Sequence, residues 1–371
     1  MPRIGFDGRA LASPAAGMRR YTQELFGALA TLDPRLTLVA VGAPPASFVP
    51  AGIERAASAR SLPTNAGWML TGLPRAARRA RVDLFHAPAY TAPVGGPRPL
   101  VLTVHDVSYE RHPEWYPYKS DPVRRTFYRY SAKSADRVIT DSEFSRHEIA
   151  DAYGLSHDVI DVVPLAPAHA FCAGPRLPLP RNIPSRFVLH VGDLHARRNL
   201  AMVARALDRV RRQQSSLRDT SLVLVGVDRG TARDLAGLND RARGGVPLIT
   251  FAGAASEPTL VALYRRAAAL VYPSRYEGFG LPLIEAMNCG TPVIAARTSS
   301  IPEVVGEAGV LLDPDDEAAW AEEIARVLDD PGHVAQLTRL GLARAATFSW
   351  QRTAADTARI YRRLLGITEP S

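Results

Sequence analysis

The feature that most constrains this chain is an alternation that it carries twice. Short apolar runs at Arg3 to Asp7, Leu36 to Gly42, Val82 to Ala87, Leu100 to His105, Val138 to Asp141 and Val159 to Pro164 alternate with helical segments. A second series does the same at Phe187 to Val191, Leu222 to Gly226, Leu248 to Gly253, Ala269 to Pro273 and Pro292 to Ala296. Runs of this kind fit strands of a parallel sheet, whose crossovers are helices. Between the two series, Leu165 to Pro184 is rich in proline, which locks φ and donates no backbone hydrogen bond, so no regular element is expected there. The spacing predicts an α/β chain with one domain over 1–165, a linker over 166–185 and a second domain over 186–349. From Glu317 to Leu365 the pattern is nearly all helical.

Composition enters where it limits function. The 371 residues are 46% hydrophobic, enough to bury two cores. No run of eighteen apolar residues occurs, and the start MPRIGFDGRA carries no apolar signal region, so a cytoplasmic chain is expected. Cys172 and Cys289 lack the CxxC spacing of metal or redox sites, consistent with a reducing compartment. The net charge of +8 is spread along the chain, which argues against a nucleic-acid tract. Two basic clusters lie at helical spacing: Arg75, Arg78, Arg79 and Arg81, then Arg124, Arg125, Arg129 and Lys133 interleaved with Phe127, Tyr128 and Tyr130. They suit either an anionic membrane surface or an ordinary solvated face.

The chemistry concentrates in Tyr276 to Pro292. Glu277 follows the strand-like run, Gly278 and Gly280 permit a tight turn, and Pro282 suits the first position of a helix whose first turn carries Glu285. A helix start of this kind offers unpaired N–H groups and a positive dipole end to a diphosphate at Gly278, Phe279, Gly280 and Leu281. The carboxylates suit hydroxyls instead, Glu285 a ribose diol and Glu277 a sugar ring. Near the end of Phe187 to Val191, Gly192 is followed by Arg197 and Arg198, whose planar guanidiniums fit phosphate oxygens in pairs. Asp313-Pro314-Asp315-Asp316 precedes a helix and reads as dipole compensation, and the pair His190 and His195 lacks further ligands at metal spacing. No metal and no cofactor are expected.

The segment from Tyr276 resembles the Glu-x7-Glu motif of family 4 glycosyltransferases. Gly192 to Leu200 is similar to that family's phosphate-binding segment, with Arg198 where lysine is usual, and Phe348-Ser349-Trp350 with Tyr361 is similar to its closing helix. Thr103-Val104-His105-Asp106 and Val138 to Ser145 resemble its His-Asp strand end and Ser-Glu-Phe-Ser helix start. The resemblance implies a GT-B fold of two facing Rossmann-like domains with a deep interdomain cleft, the last helix, about 350–365, packing back on the first domain. It implies a retaining hexosyltransferase moving sugar from a nucleotide diphosphate sugar, with His105, Glu277, Arg197 and Arg198 at the reacting centre and Gly17 near the donor. Arg19 stands where relatives carry a second glycine, and Pro164-Leu165-Ala166 where many have Pro-Asn-Gly. His105-Asp106 followed by Pro113-Glu114-Trp115-Tyr116-Pro117 looks most like bacterial mannosyltransferases of polysaccharide assembly. That implies GDP-mannose as donor and a glycan or polyprenyl-diphosphate-linked acceptor, at the inner face of the cytoplasmic membrane. The alternatives are a GT-B epimerase of sugar nucleotides and a non-catalytic sugar-nucleotide-binding partner of a transferase complex.

Overall fold

A computed structural model describes residues 1–42, 46–60, 64–116, 121–239 and 245–367. Pro117 of the segment quoted above and Lys119 lie outside the described residues. The chain divides into two compact units, Met1–Ala166 with Ser349–Ser371, and Pro167–Phe348.

In the first unit the strands are β1 (Arg3–Asp7), β2 (Thr37–Val41), β3 (Glu54–Ala56), β4 (Leu84–Ala87), β5 (Leu100–Thr103), β6 (Arg137–Thr140) and β7 (Ile160–Val162). They form one parallel sheet in the order β3-β2-β1-β4-β5-β6-β7. The second unit carries β8 (Phe187–Val191), β9 (Ser221–Val225), β10 (Ile249–Gly253), β11 (Leu270–Tyr272), β12 (Val293–Ala296) and β13 (Val310–Leu312). Its parallel order is β10-β9-β8-β11-β12-β13. In each sheet the winding reverses beside the first strand, between β1 and β4 and between β8 and β11. Crossovers diverge at such a point and leave a crevice beyond the carboxyl ends of the strands.

The central strands are buried along their whole length, as at Phe187 to Val191 and Ser221 to Val225, because helices cover both faces. Two strands escape the sequence reading. β3 and β13 are three-residue strands at sheet ends, and the Glu54-Arg55-Ala56 sequence of β3 has no apolar pattern to announce it. The proline-rich stretch forms no helix or strand, yet from Pro167 it belongs to the second unit instead of standing free as a linker. Phe171 is fully buried there against the edge of Tyr264, and its carbonyl accepts a hydrogen bond from Asn288 at 2.5 Å.

The helix Trp350–Leu365 belongs to the first unit and lies along Ala16–Leu32. Ser349 caps it through the Arg352 N–H, and the Thr353 hydroxyl donates to the Pro164 carbonyl at 2.8 Å. Its fully buried Tyr361 ends a chain of polar contacts running through the core. Tyr361 meets His86 Nδ1 at 2.6 Å, His86 Nε2 meets Thr103 at 2.8 Å, and Thr103 meets the Tyr21 hydroxyl at 2.8 Å. The chain gives each buried polar side chain a partner, without which each would be costly in the interior.

Candidate functional site

The loops that follow β8 and β11 come together at the winding reversal of the second sheet. After β8, Gly192 has φ +139°, which favours glycine, and a Cβ there would lie 3.1 Å from the Arg198 guanidinium. After β9, Gly226 has φ +148°, and a Cβ would collide with the Gly192 carbonyl at 2.1 Å. The paired Val-Gly endings of β8 and β9 thus let two loop backbones touch. The sequence reading passed over Gly226, although that repeated dipeptide was its signal.

The geometry changes the role expected of Arg198. Its guanidinium is only 8% exposed and engages Glu277 in an ion pair, with Nη1 also 2.5 Å from the Tyr272 hydroxyl. The same guanidinium lies 5.2 Å over the Tyr272 ring. Burial pulls the Arg198 pKa down; Tyr272 opposes this and the charge of Arg197 adds to it. Arg197 sits beside the pair, its Nη1 donating to the Tyr276 carbonyl at 3.1 Å and its Nη2 4.0 Å from Glu277 Oε2. The loops are further tied by the Arg275 N–H donating to the Arg197 carbonyl at 2.8 Å. Two guanidiniums and one carboxylate therefore form one cluster, instead of two free arginines beside a free glutamate.

Glu277 is fixed from several sides. Its Oε1 accepts from Ser274 at 2.5 Å, and its N–H donates to Ser299 Oγ at 2.9 Å. The Ser300 hydroxyl donates to the Glu277 and Phe279 carbonyls at 2.9 and 3.1 Å, and Thr298 to the Ser274 carbonyl at 2.7 Å. The Thr-Ser-Ser run after β12 is thus a polar staple on the loop after β11, a role that sequence reasoning missed. Gly280, at φ +101°, makes the turn into the helix Leu281–Asn288. Phe279, expected among the donor contacts, turns its ring inward against the edge of Phe348 at 5.9 Å, so only its backbone can serve a ligand. Glu285 is the fifth residue of the helix, beyond the first turn, and is 1% exposed with Oε2 accepting from the Tyr264 hydroxyl at 2.9 Å.

His190 is engaged within the core of this unit. Its Nδ1 is 3.1 Å from the Val271 carbonyl and its ring stacks on Tyr272. Burial, with the charge of Arg198, pushes its pKa down to about 3. Among the described residues no group of three or more histidine, cysteine, aspartate or glutamate side chains is arranged to hold a metal ion.

In the first unit His105 lies just beyond the end of β5. Its Nδ1 is 2.8 Å from Asp141 Oδ2, and its carbonyl accepts from the Ser145 hydroxyl at 3.1 Å. Asp106 orders the loop, its Oδ1 accepting from the Ser108 N–H and hydroxyl at 2.9 and 2.7 Å. Ser142 caps the helix Glu143–Tyr153, and Glu148 of that helix pairs with Arg111. Gly17 is exposed in the first turn of Ala16–Leu32 with open space around its Cβ position, and Arg19 donates to the Ser13 carbonyl at 2.6 Å. Arg125 does not stand free in its basic cluster: it pairs at 2.6 Å with Glu110, whose side chain is 3% exposed. Val123 and Tyr130, on the same helix Pro122–Ser134, are exposed beside Arg124, Arg129 and Lys133.

Two parallel nucleotide-binding-type sheets, the second with an arginine–glutamate cluster at its winding reversal, are the architecture of the GT-B fold. Residues 185–330 match the family described as Glycosyl transferases group 1, and residues 15–166 match Glycosyltransferase Family 4. The O-antigen chain mannosyltransferase B of Escherichia coli is 33% identical over 292 residues, covering 76% of this chain and 74% of that protein. A D-inositol 3-phosphate glycosyltransferase of Acidothermus cellulolyticus is 34% identical over 245 residues, 62% of this chain and 53% of its own length. Among solved structures, the sucrose-phosphate synthase of Thermosynechococcus elongatus matches with a TM-score of 0.75 at 23% identity, covering 99% of this chain and 100% of that one. WaaG, a glycosyltransferase involved in lipopolysaccharide biosynthesis, matches at 0.71 and 16% identity, covering 97% and 99%. At those identities the two structures speak for the fold alone. The chain belongs to the family 4 glycosyltransferases, and it is a hexosyltransferase.

Proposed function

We propose that this transferase moves mannose from GDP-mannose to a glycan or polyprenyl-diphosphate-linked acceptor, with retention of the α configuration. The observation that carries the donor site is the buried cluster of Arg197, Arg198 and Glu277 at the reversal between β8 and β11. In this reading the departing diphosphate lies against Arg197 and the amides from Gly278 to Leu281, with Arg198 behind them fixing Glu277. Donors held in advance against developing charge usually do more to lower the barrier than any other feature of such a site. Glu277 Oε2 takes sugar hydroxyls and Glu285 takes the ribose, while Gly17 and His105 are proposed as the first unit's own contacts with the donor.

Transfer is proposed to run on one face of the sugar. The C1 to phosphate oxygen bond breaks, the departing phosphate oxygen takes the proton of the acceptor hydroxyl, and the acceptor oxygen bonds C1 from the same side. No divalent ion is required. Mannose is supported by the relationship to the O-antigen mannosyltransferase. Screening GDP-mannose against UDP-glucose and UDP-N-acetylglucosamine, with the anomeric coupling of the product read by NMR, tests donor and stereochemistry together. A β-linked product, or a sugar-nucleotide epimer formed without acceptor, would replace this reading.

We place the acceptor at an anionic membrane, on the cytoplasmic side. Exposed Val123 and Tyr130 flanked by Arg124, Arg129 and Lys133 give the helix Pro122–Ser134 both an apolar and a cationic component. No helix among the described residues is long and apolar enough to cross a membrane.

A further inference from the structure

We propose that Asp141 is a positioning residue for His105, holding the imidazole so that Nε2 is its one working atom and donates a proton toward the donor's sugar or phosphate. This rests on the reading of the chain as a sugar-nucleotide transferase, because His105 would be the group that touches the donor and Asp141 acts through it.

The strand register brings the two residues together. β5 and β6 pair with Thr103 opposite Ile139, and the Val104 N–H continues the ladder to the Ile139 carbonyl at 2.9 Å. Two residues beyond that pair, past the strand ends, His105 and Asp141 meet through their side chains. Asp141 is 2% exposed, and its Oδ2 receives the imidazole Nδ1–H at 2.8 Å. Ser142 then caps the next helix through the Ser145 N–H at 3.0 Å, while the Ser145 hydroxyl donates to the His105 carbonyl. One short segment therefore grips both the ring and the backbone of His105. The ring is walled by Tyr21, edge-on at 4.7 Å between centroids, and by Tyr90 at 6.0 Å. Tyr90 itself is held at φ +46°, a conformation that bulky residues avoid unless their surroundings impose it. With Nδ1 bound to a carboxylate and two tyrosine rings packed against the imidazole, the buried His105 Nε2 is left without a hydrogen-bond partner.

The groups facing the ring are Asp141 and Asp106, Tyr21, Tyr90 and the buried His86. Burial lowers the His105 pKa, but the charge and hydrogen bond of Asp141, with the charge of Asp106, outweigh it, and the pKa rises above the ordinary imidazole value. The imidazolium, with a proton on Nε2, is the form that can donate to a phosphate or hydroxyl oxygen. A carboxylate that fixes the tautomer of a histidine in this manner governs both its orientation and its charge.

Two measurements on the full chain test this. His105 is titrated by NMR through its imidazole Cε1–H signal, assigned by its loss in His105→Gln, in the wild type and in Asp141→Asn. The expected result is a lower His105 pKa in Asp141→Asn, since the variant removes the charge that raises it. This readout needs no donor, so it holds even if the sugar transferred is misassigned. The pH dependence of kcat/KM for transfer should then show a fall at high pH that follows the same pKa and moves down in Asp141→Asn. Asp141→Asn should lower kcat by about tenfold to a hundredfold, the scale of one hydrogen bond to a charged group, and should cost nothing further in a His105→Gln background. An unchanged His105 pKa, or equal losses from Asp141→Asn with and without His105, would reduce Asp141 to a structural residue. Activity that rises with pH through the His105 pKa would make the imidazole a base and overturn the proposal. If Asp141→Asn fails to fold, the wild-type titration and the wild-type rate limb must still coincide for the proposal to stand.

Discussion

At Arg198 a single side chain carries a stability cost and, in the proposed mechanism, the positioning of Glu277. Removing one partner of a buried ion pair leaves the other charge uncompensated, at about 3 to 5 kcal/mol. Arg198→Ala should therefore lower the melting temperature markedly, and adding Glu277→Gln should recover much of it, because the orphaned carboxylate disappears. Both variants should be poor catalysts. Transfer by Arg198→Ala should fall by about tenfold to a hundredfold, because Glu277 loses the charged hydrogen bond that fixes it, whereas Arg198→Lys, with the residue usual in the family, should keep most activity. A melting temperature indifferent to Arg198→Ala would show that the pair is not held as described. Glu277→Ala should chiefly lower turnover and Glu285→Ala chiefly weaken nucleotide binding, read as separate changes in kcat and in the affinity for nucleoside diphosphate. Equal loss of nucleotide affinity in both would undo that division.

At the scale of elements, the turn into Leu281–Asn288 and the returning helix Trp350–Leu365 each depend on one local arrangement. Gly280 holds φ +101°, so Gly280→Ala should cost about 1 to 3 kcal/mol and loosen the backbone amides of this helix start, with a loss of donor affinity if they bind the diphosphate as proposed. The returning helix is joined to the first sheet through Tyr361, His86, Thr103 and Tyr21. Tyr361→Phe strands the His86 Nδ1 in the core and should cost about 1 to 3 kcal/mol in urea unfolding. The same histidine sets a pH response. Burial, with the neighbouring His105, pushes the pKa of His86 down to about 3 from the ordinary 6.5, so the unfolded chain binds more protons between those values. Stability present above pH 6.5 should therefore be lost as pH falls through that window, at up to about 1.4 kcal/mol per pH unit. His190, also pushed down to about 3, adds the same slope in the second unit. Midpoints of unfolding that stay level from pH 7 to pH 4.5 would contradict the burial of both rings in neutral form.

For the whole molecule, the net charge of +8 and the basic helices make association with anionic vesicles measurable. The chain should sediment with such vesicles at low salt and release as salt rises, since surface charges are screened over about 8 Å at physiological ionic strength. Arg125 and Arg129 both pair with Glu110, so the informative variant changes Arg78, Arg79, Arg124 and the exposed Lys133 to glutamine. Vesicle binding that ignores both salt and these substitutions would favour a soluble acceptor. Transfer should also survive a chelator, and abolition restored by magnesium would mean that the diphosphate charge is neutralised otherwise.

Most of the sheets, and the meeting of the loops after β8 and β11 that carry the candidate site, were legible in the sequence, because a strand buried on both faces is written as an apolar run and a strand-to-helix turn as glycine and proline. The runs at Arg3 to Asp7 and Phe187 to Val191 are found as strands at the same residues. The edge strands β3 and β13 were not legible, since β3 reads Glu-Arg-Ala with no apolar pattern and β13 is an apolar run of only three residues. Which residues meet within the site is a matter of register and burial, and these are properties of the fold. That Arg198 turns inward to Glu277 depends on the loops after β8 and β11 sharing one winding reversal. That Asp141 faces His105 depends on β5 pairing with β6 at Thr103 and Ile139. Sequence set which side chains stand at the strand ends; the tertiary structure decided which of them neutralise one another and which keep an atom for a ligand, because Coulombic and hydrogen-bond energies depend on distances that only packing fixes.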